Sequence, residues 1–247
     1  MNSLFLNLIA PWKVIIIFPF LVVYFSFLPA YCGEKEVFVR EDFNSLDNWR
    51  PLYFPKITRH SRYTVVKEQD ASFLKAESDS SASGIIYRKE FNVYDFPKIR
   101  WRWRIENVYK KGNAEEKSGD DYPVRLYIIF KYDPEKASLG KKIRYGIARR
   151  IYGEYPPDSS LNYIWASKGQ AEKIFTNPYA DEAKMIIVES GVEKSGIWVE
   201  EDADIVEDYI KAFGVSPPAI ASIAIMNDSD NTGESSVSYV DYIEIHK

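Results

Sequence analysis

The sequence is poor in the side chains that most often carry out chemistry. It has one cysteine, Cys32, and two histidines, His60 and His246, among 247 residues. A structural zinc site draws its four ligands mainly from cysteine and histidine, and the two histidines lie far apart in the sequence. A Ser-His-Asp triad would need one of them, and neither lies in a recognisable motif. The sequence therefore predicts neither a zinc site nor a triad hydrolase.

A basic surplus and a phosphate-binding loop are missing as well. Lysine and arginine total 32 against 36 acidic residues, which gives a formal net charge of −4. Proteins that bind nucleic acids usually carry a basic patch, so this balance argues against a nucleic-acid partner. No G-x-x-x-x-G-K-[ST] is present, and no G-x-G-x-x-G follows a strand, so no nucleotide site is predicted.

The N-terminal segment has the layout of a signal peptide. Lys13 precedes an apolar run of roughly 15 residues, and residues 30–32 fit a cleavage site before Gly33. We expect residues 1–32 to be a signal peptide and residues 33–247 to form a single β-sandwich domain of a periplasmic or secreted protein. The alternative is an uncleaved anchor, because the run is long enough to span a bilayer.

Short segments of alternating hydrophobicity predict many β-strands. In the segment 98–107, KIRWRWRIEN, apolar side chains occupy the odd positions and arginines the even ones, so the two sets face opposite sides of a sheet. The segment 123–132 is apolar on both faces and is predicted to be a central strand. Turn-rich segments such as DNWRP separate the strands. We expect an all-β fold, an antiparallel β-sandwich or jelly roll (concanavalin-like or galactose-binding-like), with one or two short helices.

Two segments have helical periodicity. Residues 205–213 repeat apolar positions at helix spacing, with Asp202 or Asp204 as the N-cap and Gly214 as the end. The second segment, 141–153, carries Ile143, Ile147 and Ile151 on one stripe.

The second helical segment is basic. Between Lys136 and Gly153 there are six basic residues and no acidic residue. One interpretation is an ordinary surface helix; the other is a helix that lies on an anionic surface, such as lipid head groups or acidic glycans. Membrane contact is expected only through the signal segment or through this basic helix, residues 141–153.

The segment NDSDNTGESS, residues 227–236, connects two predicted strands and is rich in oxygen-bearing side chains. Asp228, Asp230 and Thr232, followed by a glycine, form half of a calcium-loop pattern. The position of the closing bidentate glutamate is occupied by Tyr239. Aspartate and asparagine also stabilise turns without metal. A turn, a calcium or similar cation site, and direct ligand contact therefore all stay open, and no other cofactor is predicted.

Aromatic and polar side chains on the predicted strands are candidates for binding a sugar, because sugars offer apolar C–H faces and hydroxyls. The opposing interpretation is that tryptophans on alternating strands belong to the core. The candidate platforms are Trp103, Tyr127, Tyr163 and Trp165, and the candidate polar partners are Asp120, Asp121 and Arg125.

The chain also resembles a known family, the bacterial exported domain of unknown function 3047. The matching pieces include DFNSLDNW, WRWRI, SGDDYPVRLYIIF, LNYIWAS, IIVESG and IAIMNDSDNTGESS, in this order between Asp42 and Ile245. The family has an arginine between a Trp and an Asp-Tyr pair, where Ala203 stands here, so an ion pair through that arginine is not expected. The resemblance implies a secreted jelly-roll domain and no assigned activity.

These observations lead to one functional prediction and two alternatives. The first is a non-catalytic exported β-sandwich that binds a polysaccharide or another cell-envelope component. The second is a polysaccharide lyase or glycoside hydrolase that uses Asp120 and Asp121, since such enzymes need paired carboxylates. The third is a structural protein that docks on another envelope protein. Fold class alone does not separate them.

Overall fold

The computed structural model of the protein describes residues 36–247, apart from positions 56, 70, 153, 154 and 171. These residues fall in one compact unit, Lys35–Lys247. The predicted signal peptide, residues 1–32, lies outside the described residues. The start of the domain at residue 33 therefore stays a prediction.

Strands dominate the described residues, and two α-helices accompany them. The strands are β1 Val37–Glu41, β2 Trp49–Leu52, β3 Arg62–Glu68, β4 Ala71–Asp79, β5 Ala82–Tyr87, β6 Phe91–Asn92, β7 Lys98–Ile105, β8 Arg125–Phe130, β9 Ser159–Ala166, β10 Ile174–Asn177, β11 Ala180–Ser190, β12 Val199–Asp204, β13 Ile220–Asp228 and β14 Ser235–His246. The helices are α1 Leu139–Tyr152 and α2 Ile205–Phe213, with a short 3-10 turn at Lys117–Gly119.

The strands form two sheets. The six-stranded sheet has the order β12-β7-β14-β4-β3, with β1 also paired to β14. The eight-stranded sheet has the order β10-β11-β9-β8-β13-β5-β2, with β6 also paired to β13. Neighbouring strands are antiparallel except β9 and β11, which are parallel. Inward side chains of both sheets share one hydrophobic core. The predicted all-β sandwich of the jelly-roll class is confirmed.

Large aromatic side chains fill the space between the sheets. Trp101 and Trp103 of β7 meet Tyr163 and Trp165 of β9, with ring-centroid distances of 5.1 Å for Trp101–Tyr163 and 6.0 Å for Trp103–Trp165. All four side chains are 0% exposed. The prediction that Trp103, Tyr163 and Trp165 are sugar platforms is therefore corrected, because odd positions of β7 and β9 face the opposite sheet.

The arginines of β7 lie on the outer face of the six-stranded sheet, as the alternation predicts. Each arginine forms an ion pair with a carboxylate in the sheet or beside it, so the arginines of this face are already paired within the protein. The pairs are Arg100–Asp202 at 2.8 Å, Arg102–Asp241 at 3.1 Å and Arg104–Glu106 at 3.2 Å.

One predicted turn segment is a strand. Trp49–Leu52, which overlaps the end of DNWRP, pairs with β5 at the edge of the eight-stranded sheet. Pro51 is tolerated there because an edge strand leaves one row of backbone groups outside the ladder. The indole of Trp49 is 3% exposed and donates to the carboxylate of Glu41 at 3.2 Å. This aromatic anchor outweighs the local turn preference.

Both predicted helices are present. At the start of α2 the carboxylate of Asp204 accepts a hydrogen bond of 2.9 Å from the Glu207 amide, and Gly214 ends the helix with a left-handed φ of 73°. Helix α1 covers residues 141–152 of the predicted basic segment, and Gly153 lies outside the described residues. None of the helices in the described part of the chain is long and apolar enough to cross a membrane.

Candidate functional site

The NDSDNTGESS segment carries the chain from one sheet to the other. Asn227, the penultimate residue of β13, is 0% exposed and faces the space between the sheets. Its side-chain amide donates to the carbonyl of Pro123 at 2.7 Å and to the hydroxyls of Ser236 at 3.2 Å and Ser238 at 3.3 Å. One amide group therefore links the start of β8 to β14, across the sandwich.

Asp228 forms a buried ion pair with Arg125. Its Oδ1 accepts from Arg125 Nε at 3.0 Å and from the Tyr122 amide at 3.2 Å, while its Oδ2 accepts from the second guanidinium nitrogen. Arg125 is 4% exposed and Asp228 is 1% exposed. A bidentate charge-assisted pair has fixed geometry as well as strength. It joins two segments that are more than a hundred positions apart.

Asp121 holds the turn itself. Its carboxylate accepts from the amide of Thr232 at 2.6 Å and from the amide of Asn231 at 3.3 Å. Gly233 follows with φ of 68°, a left-handed conformation that favours glycine. The segment is thus a turn, as one of its interpretations predicts, and the buried carboxylate of Asp121 fixes its shape.

Carboxylate oxygens of Asp121, Asp228 and Asp230 lie within 4.8 Å of one another. Burial raises the pKa of Asp230, and the nearby Asp121 carboxylate raises it further. The predicted calcium ligands Asp228 and Asp230 are therefore together, but the third carboxylate comes from another segment, and Thr232 lies outside this group of three. Asp228 already accepts from Arg125, so a cation would compete with a guanidinium. Calcium therefore stays one of the three interpretations of this loop.

A groove of about 610 Å³ lies beside these carboxylates, on the outer face of the eight-stranded sheet. The odd positions of β8 face outward, and Tyr127 pairs with Asn162 of β9, so both side chains lie on this face. Phe54, Pro55 and Ile57, together with the turn between β10 and β11, border the groove.

The large side chains in the apolar part of the groove include Phe54, Tyr127, Met226 and Tyr179. Tyr179 is 56% exposed. Its hydroxyl donates to the carbonyl of Lys117 at 2.9 Å and accepts from the side-chain amide of Asn231 at 2.7 Å. These two bonds hold the ring in place at the side of the groove, where part of its surface faces solvent.

The polar part of the groove contains two buried acceptors. Asn162 donates to the carbonyl of Lys184 at 3.0 Å, and Asp120 Oδ2 accepts from Asn177 at 2.9 Å. The amide oxygen Asn162 Oδ1 and the other carboxylate oxygen, Asp120 Oδ1, are buried and have no hydrogen-bond partner among the described residues. A buried acceptor without a partner is unfavourable, and both residues line the groove.

The predicted site residues fall into three places. Asp120, Arg125 and Tyr127 line the groove together with Asp228 and Asp230, whereas Asp121 supports the loop. The three core aromatics lie on the opposite side of the sheet.

Sequence reasoning missed several residues that line the groove. Asn162 carried a signal, since it is polar at an outward position of the otherwise apolar LNYIWAS. The neighbours of that position depend on strand register, which the sequence does not give. The missed residues are Phe54, Asn162, Asn177, Tyr179, Met226 and Asn231.

No curated protein sequence matches the chain significantly. Among solved structures, it is similar to the family 11 carbohydrate-binding module from Clostridium thermocellum in complex with a β-1,3-1,4-mixed-linked tetrasaccharide, with 12% identity, a TM-score of 0.44, and coverage of 85% of this chain and 94% of that chain. It is also similar to the xyloglucanase domain of NopAA from Sinorhizobium fredii, with 11% identity, a TM-score of 0.43, and coverage of 85% and 96%. A third is the CBM27-1 module of Caldicellulosiruptor saccharolyticus with mannohexaose, with 9% identity, a TM-score of 0.38, and coverage of 84% and 95%. These likenesses are distant, and the fold assignment rests on the sheet topology itself.

The match to a protein family is more extensive. The model of the family described as "Protein of unknown function (DUF3047)" matches residues 47–244, which include the groove and the NDSDNTGESS segment. The resemblance noted in the sequence is therefore confirmed, and the chain belongs to the DUF3047 family.

Proposed function

We propose that the protein binds a carbohydrate chain in the groove beside the NDSDNTGESS segment and does not cleave it. The observation that supports this most directly is the combination of solvent-facing aromatic surface with two buried, unpartnered acceptors in one groove. Ligand sites of this kind pair an apolar lining with a few convergent polar groups.

Each part of the groove suits one part of a sugar. The rings of Tyr179 and Tyr127 can contact the apolar C–H face of a pyranose, while sugar hydroxyls can donate to Asn162 Oδ1 and Asp120 Oδ1. A hydrogen bond between neutral groups contributes roughly 0.5–1.5 kcal/mol, and one to a charged group roughly 1.5–3 kcal/mol. Two such bonds and one stacked ring are enough for a modest affinity. Binding of several repeating units of the same polymer can increase this affinity.

The charges of the groove favour a neutral sugar. Asp120, Asp228 and Asp230 line it, against the single guanidinium of Arg125, which is already paired to Asp228. A uronic acid would bring a further negative charge to this surface and be repelled. We expect neutral glycans to bind more tightly than polyuronates of equal length.

The test is a binding panel with the full-length protein. Neutral β-glucans, peptidoglycan and alginate-like polyuronates are compared by affinity electrophoresis, and released products are assayed in parallel as reducing ends and unsaturated sugars. Binding of a neutral glycan without product release supports the proposal. If no glycan binds, the proposal fails. Co-purification with an envelope protein in that case favours the structural alternative.

A hydrolase or lyase is the second candidate, and one observation favours it. Asp120 and Asp230 both line the groove, and burial raises the pKa of Asp230, with the Asp121 carboxylate adding to the effect. A carboxyl whose burial raises its pKa has one property of the general acid in such enzymes. Product release that disappears in Asp230→Asn while binding persists would establish this candidate instead.

We also propose that the protein works outside the cytoplasm. The support is the signal-peptide layout of residues 1–32, which lie outside the described residues. The intact mass of the protein isolated from its cells is expected to begin near Gly33. A full-length chain retained in membranes would contradict cleavage and favour the anchor.

A further inference from the structure

We propose that helix α1 lies on the surface of an anionic lipid bilayer, independently of the groove. Three large aliphatic side chains of this helix face solvent: Leu139 is 75% exposed, Ile143 is 59% exposed and Ile147 is 55% exposed. They are spaced four residues apart, so they form one continuous stripe along the helix. Isolated exposed apolar residues are common, but an aligned stripe indicates an interaction surface.

The opposite side of α1 attaches the helix to the domain. Tyr145 is 5% exposed, its ring centroid lies 4.5 Å from that of Tyr132, and its hydroxyl donates to the carbonyl of Pro157 at 2.9 Å. Lys141 forms an ion pair of 2.6 Å with Asp158 on the same side. The helix is therefore held without using the stripe, and the fold itself does not require three aliphatic residues there.

The charges around the stripe identify its partner. The segment from Lys136 to Gly153 has six basic residues and no acidic residue. Within the described part of the chain, Lys142 and Arg150 have no carboxylate within salt-bridge distance. At about 100° per residue, Lys142 lies to one side of the stripe and Arg150 continues its line. An apolar stripe with cations along it is the arrangement of helices that lie in the interface of an anionic membrane.

An anionic membrane would contact both the apolar stripe and the cations beside it. The aliphatic side chains reach the boundary between head groups and acyl chains, and the cations remain at the lipid phosphates. A soluble polyanion would engage the cations alone and leave the stripe in water. No residue of α1 lines the groove, so a helix lying on a lipid surface leaves the groove open to a glycan.

The experiment measures hydrogen exchange of peptides from residues 139–152 in the full-length protein, with vesicles of phosphatidylcholine alone or mixed with phosphatidylglycerol. The local readout separates α1 from any contribution of the apolar N-terminal segment, which a measurement on the whole protein would include. The amides of α1 are expected to exchange more slowly with the anionic vesicles only. Equal exchange with the two vesicle types would overturn the proposal, and so would equal protection by dextran sulfate.

One double variant tests the apolar stripe. Ile143→Gln combined with Ile147→Gln keeps a helix-compatible side chain and removes apolar surface, so protection of α1 by anionic vesicles is expected to disappear. The matched control is Val192→Gln with Val215→Gln, which changes residues that are 59% and 60% exposed elsewhere in the domain. The control is expected to behave like the wild type. A stripe variant that is still protected overturns the proposal.

A second double variant tests the cations. Each Lys or Arg near an anionic surface contributes about a fivefold factor in partitioning, so Lys142→Gln with Arg150→Gln should weaken vesicle binding by α1 roughly 25-fold. The matched control, Lys67→Gln with Lys89→Gln, removes two exposed lysines outside the helix and should change binding less than twofold. Circular dichroism checks that every variant is folded. Equal effects of the two pairs would contradict a lipid surface at α1.

Discussion

Replacing Asp228 by alanine tests the buried ion pair that supports the groove. The change removes both acceptors of Arg125 on this residue and leaves a guanidinium that is 4% exposed, with Asp120 Oδ2 at 3.8 Å as its remaining carboxylate contact. The Tyr122 amide loses its acceptor as well. Removing one partner of a buried pair costs roughly 3–5 kcal/mol. For a domain of this size we expect the melting temperature to fall by roughly 6–20 °C.

An exposed pair in the same protein is the matched control. Arg59 and Asp79 lie 2.5 Å apart with side chains that are 61% and 68% exposed. Pairs of this kind contribute about 0–1 kcal/mol because water already solvates both charges. Asp79→Ala should therefore change stability far less than Asp228→Ala.

The assay is urea unfolding at neutral pH, followed by tryptophan fluorescence, for Asp228→Ala and Asp79→Ala, for the single variants Arg125→Met and Asp228→Leu, and for the double variant that combines these last two. The double variant leaves no unpaired guanidinium, so its loss of stability should be smaller than the sum of the two single losses, with a coupling of roughly 0.5–3 kcal/mol. If Asp228→Ala costs no more than Asp79→Ala, or if the losses simply add, the buried pair does not stabilise the loop as described.

Two further predictions concern pH and metal. Burial raises the pKa of Glu201 to about 7 from its ordinary 4.5, with Glu189 adding to the effect. The stabilising contribution of protonated Glu201 is fully present below pH 4.5 and is lost as pH rises through 7. The free energy of unfolding of the wild type should therefore fall by about 1–2 kcal/mol between pH 5 and 8, as measured from urea midpoints. In Glu201→Gln this decrease should be absent. Millimolar calcium after EDTA should leave the melting temperature unchanged, because Arg125 already occupies Asp228. A gain of roughly 2.7 kcal/mol at a hundredfold excess over the dissociation constant, absent in Asp230→Asn, would show a bound cation instead.

Local patterns were sufficient to predict the elements that depend on them. Alternation along β7 put its arginines and tryptophans on opposite faces. The end of α2 at Gly214 was predicted, and its N-cap was narrowed to Asp202 or Asp204, of which the structure selects Asp204. The composition of residues 227–236 likewise indicated a turn.

What could not be predicted depends on contacts between distant segments. Tyr163 and Trp165 share a face of β9, but a central strand is apolar on both sides, so periodicity does not say which face is inward. Asn162 lies on the groove because β8 and β9 pair in one register, with Tyr127 opposite it. Asp121 supports a turn more than a hundred positions later in the chain. Such partners are set by tertiary packing and leave no local signal.

The exposed stripe of α1 is a second case in which periodicity did not predict the surroundings of an apolar face. Its periodicity correctly predicted a helix, and a core-facing orientation would be the usual expectation for an apolar stripe. Tyr145, on the other side of the helix, instead packs α1 against the domain, and the stripe faces solvent. Periodicity indicates that a face is apolar, but not what covers it.

The most direct test of the account is a calorimetric titration of the bound neutral glycan into wild type, Tyr179→Ala and Tyr94→Ala. Tyr179 is 56% exposed within the groove, and Tyr94 is 50% exposed away from it, so both changes should leave the fold intact. If the groove is the site, Tyr179→Ala should weaken binding by about 2 kcal/mol, roughly 30-fold, and Tyr94→Ala less than twofold. Equal affinities for all three folded proteins would contradict a binding site in the groove.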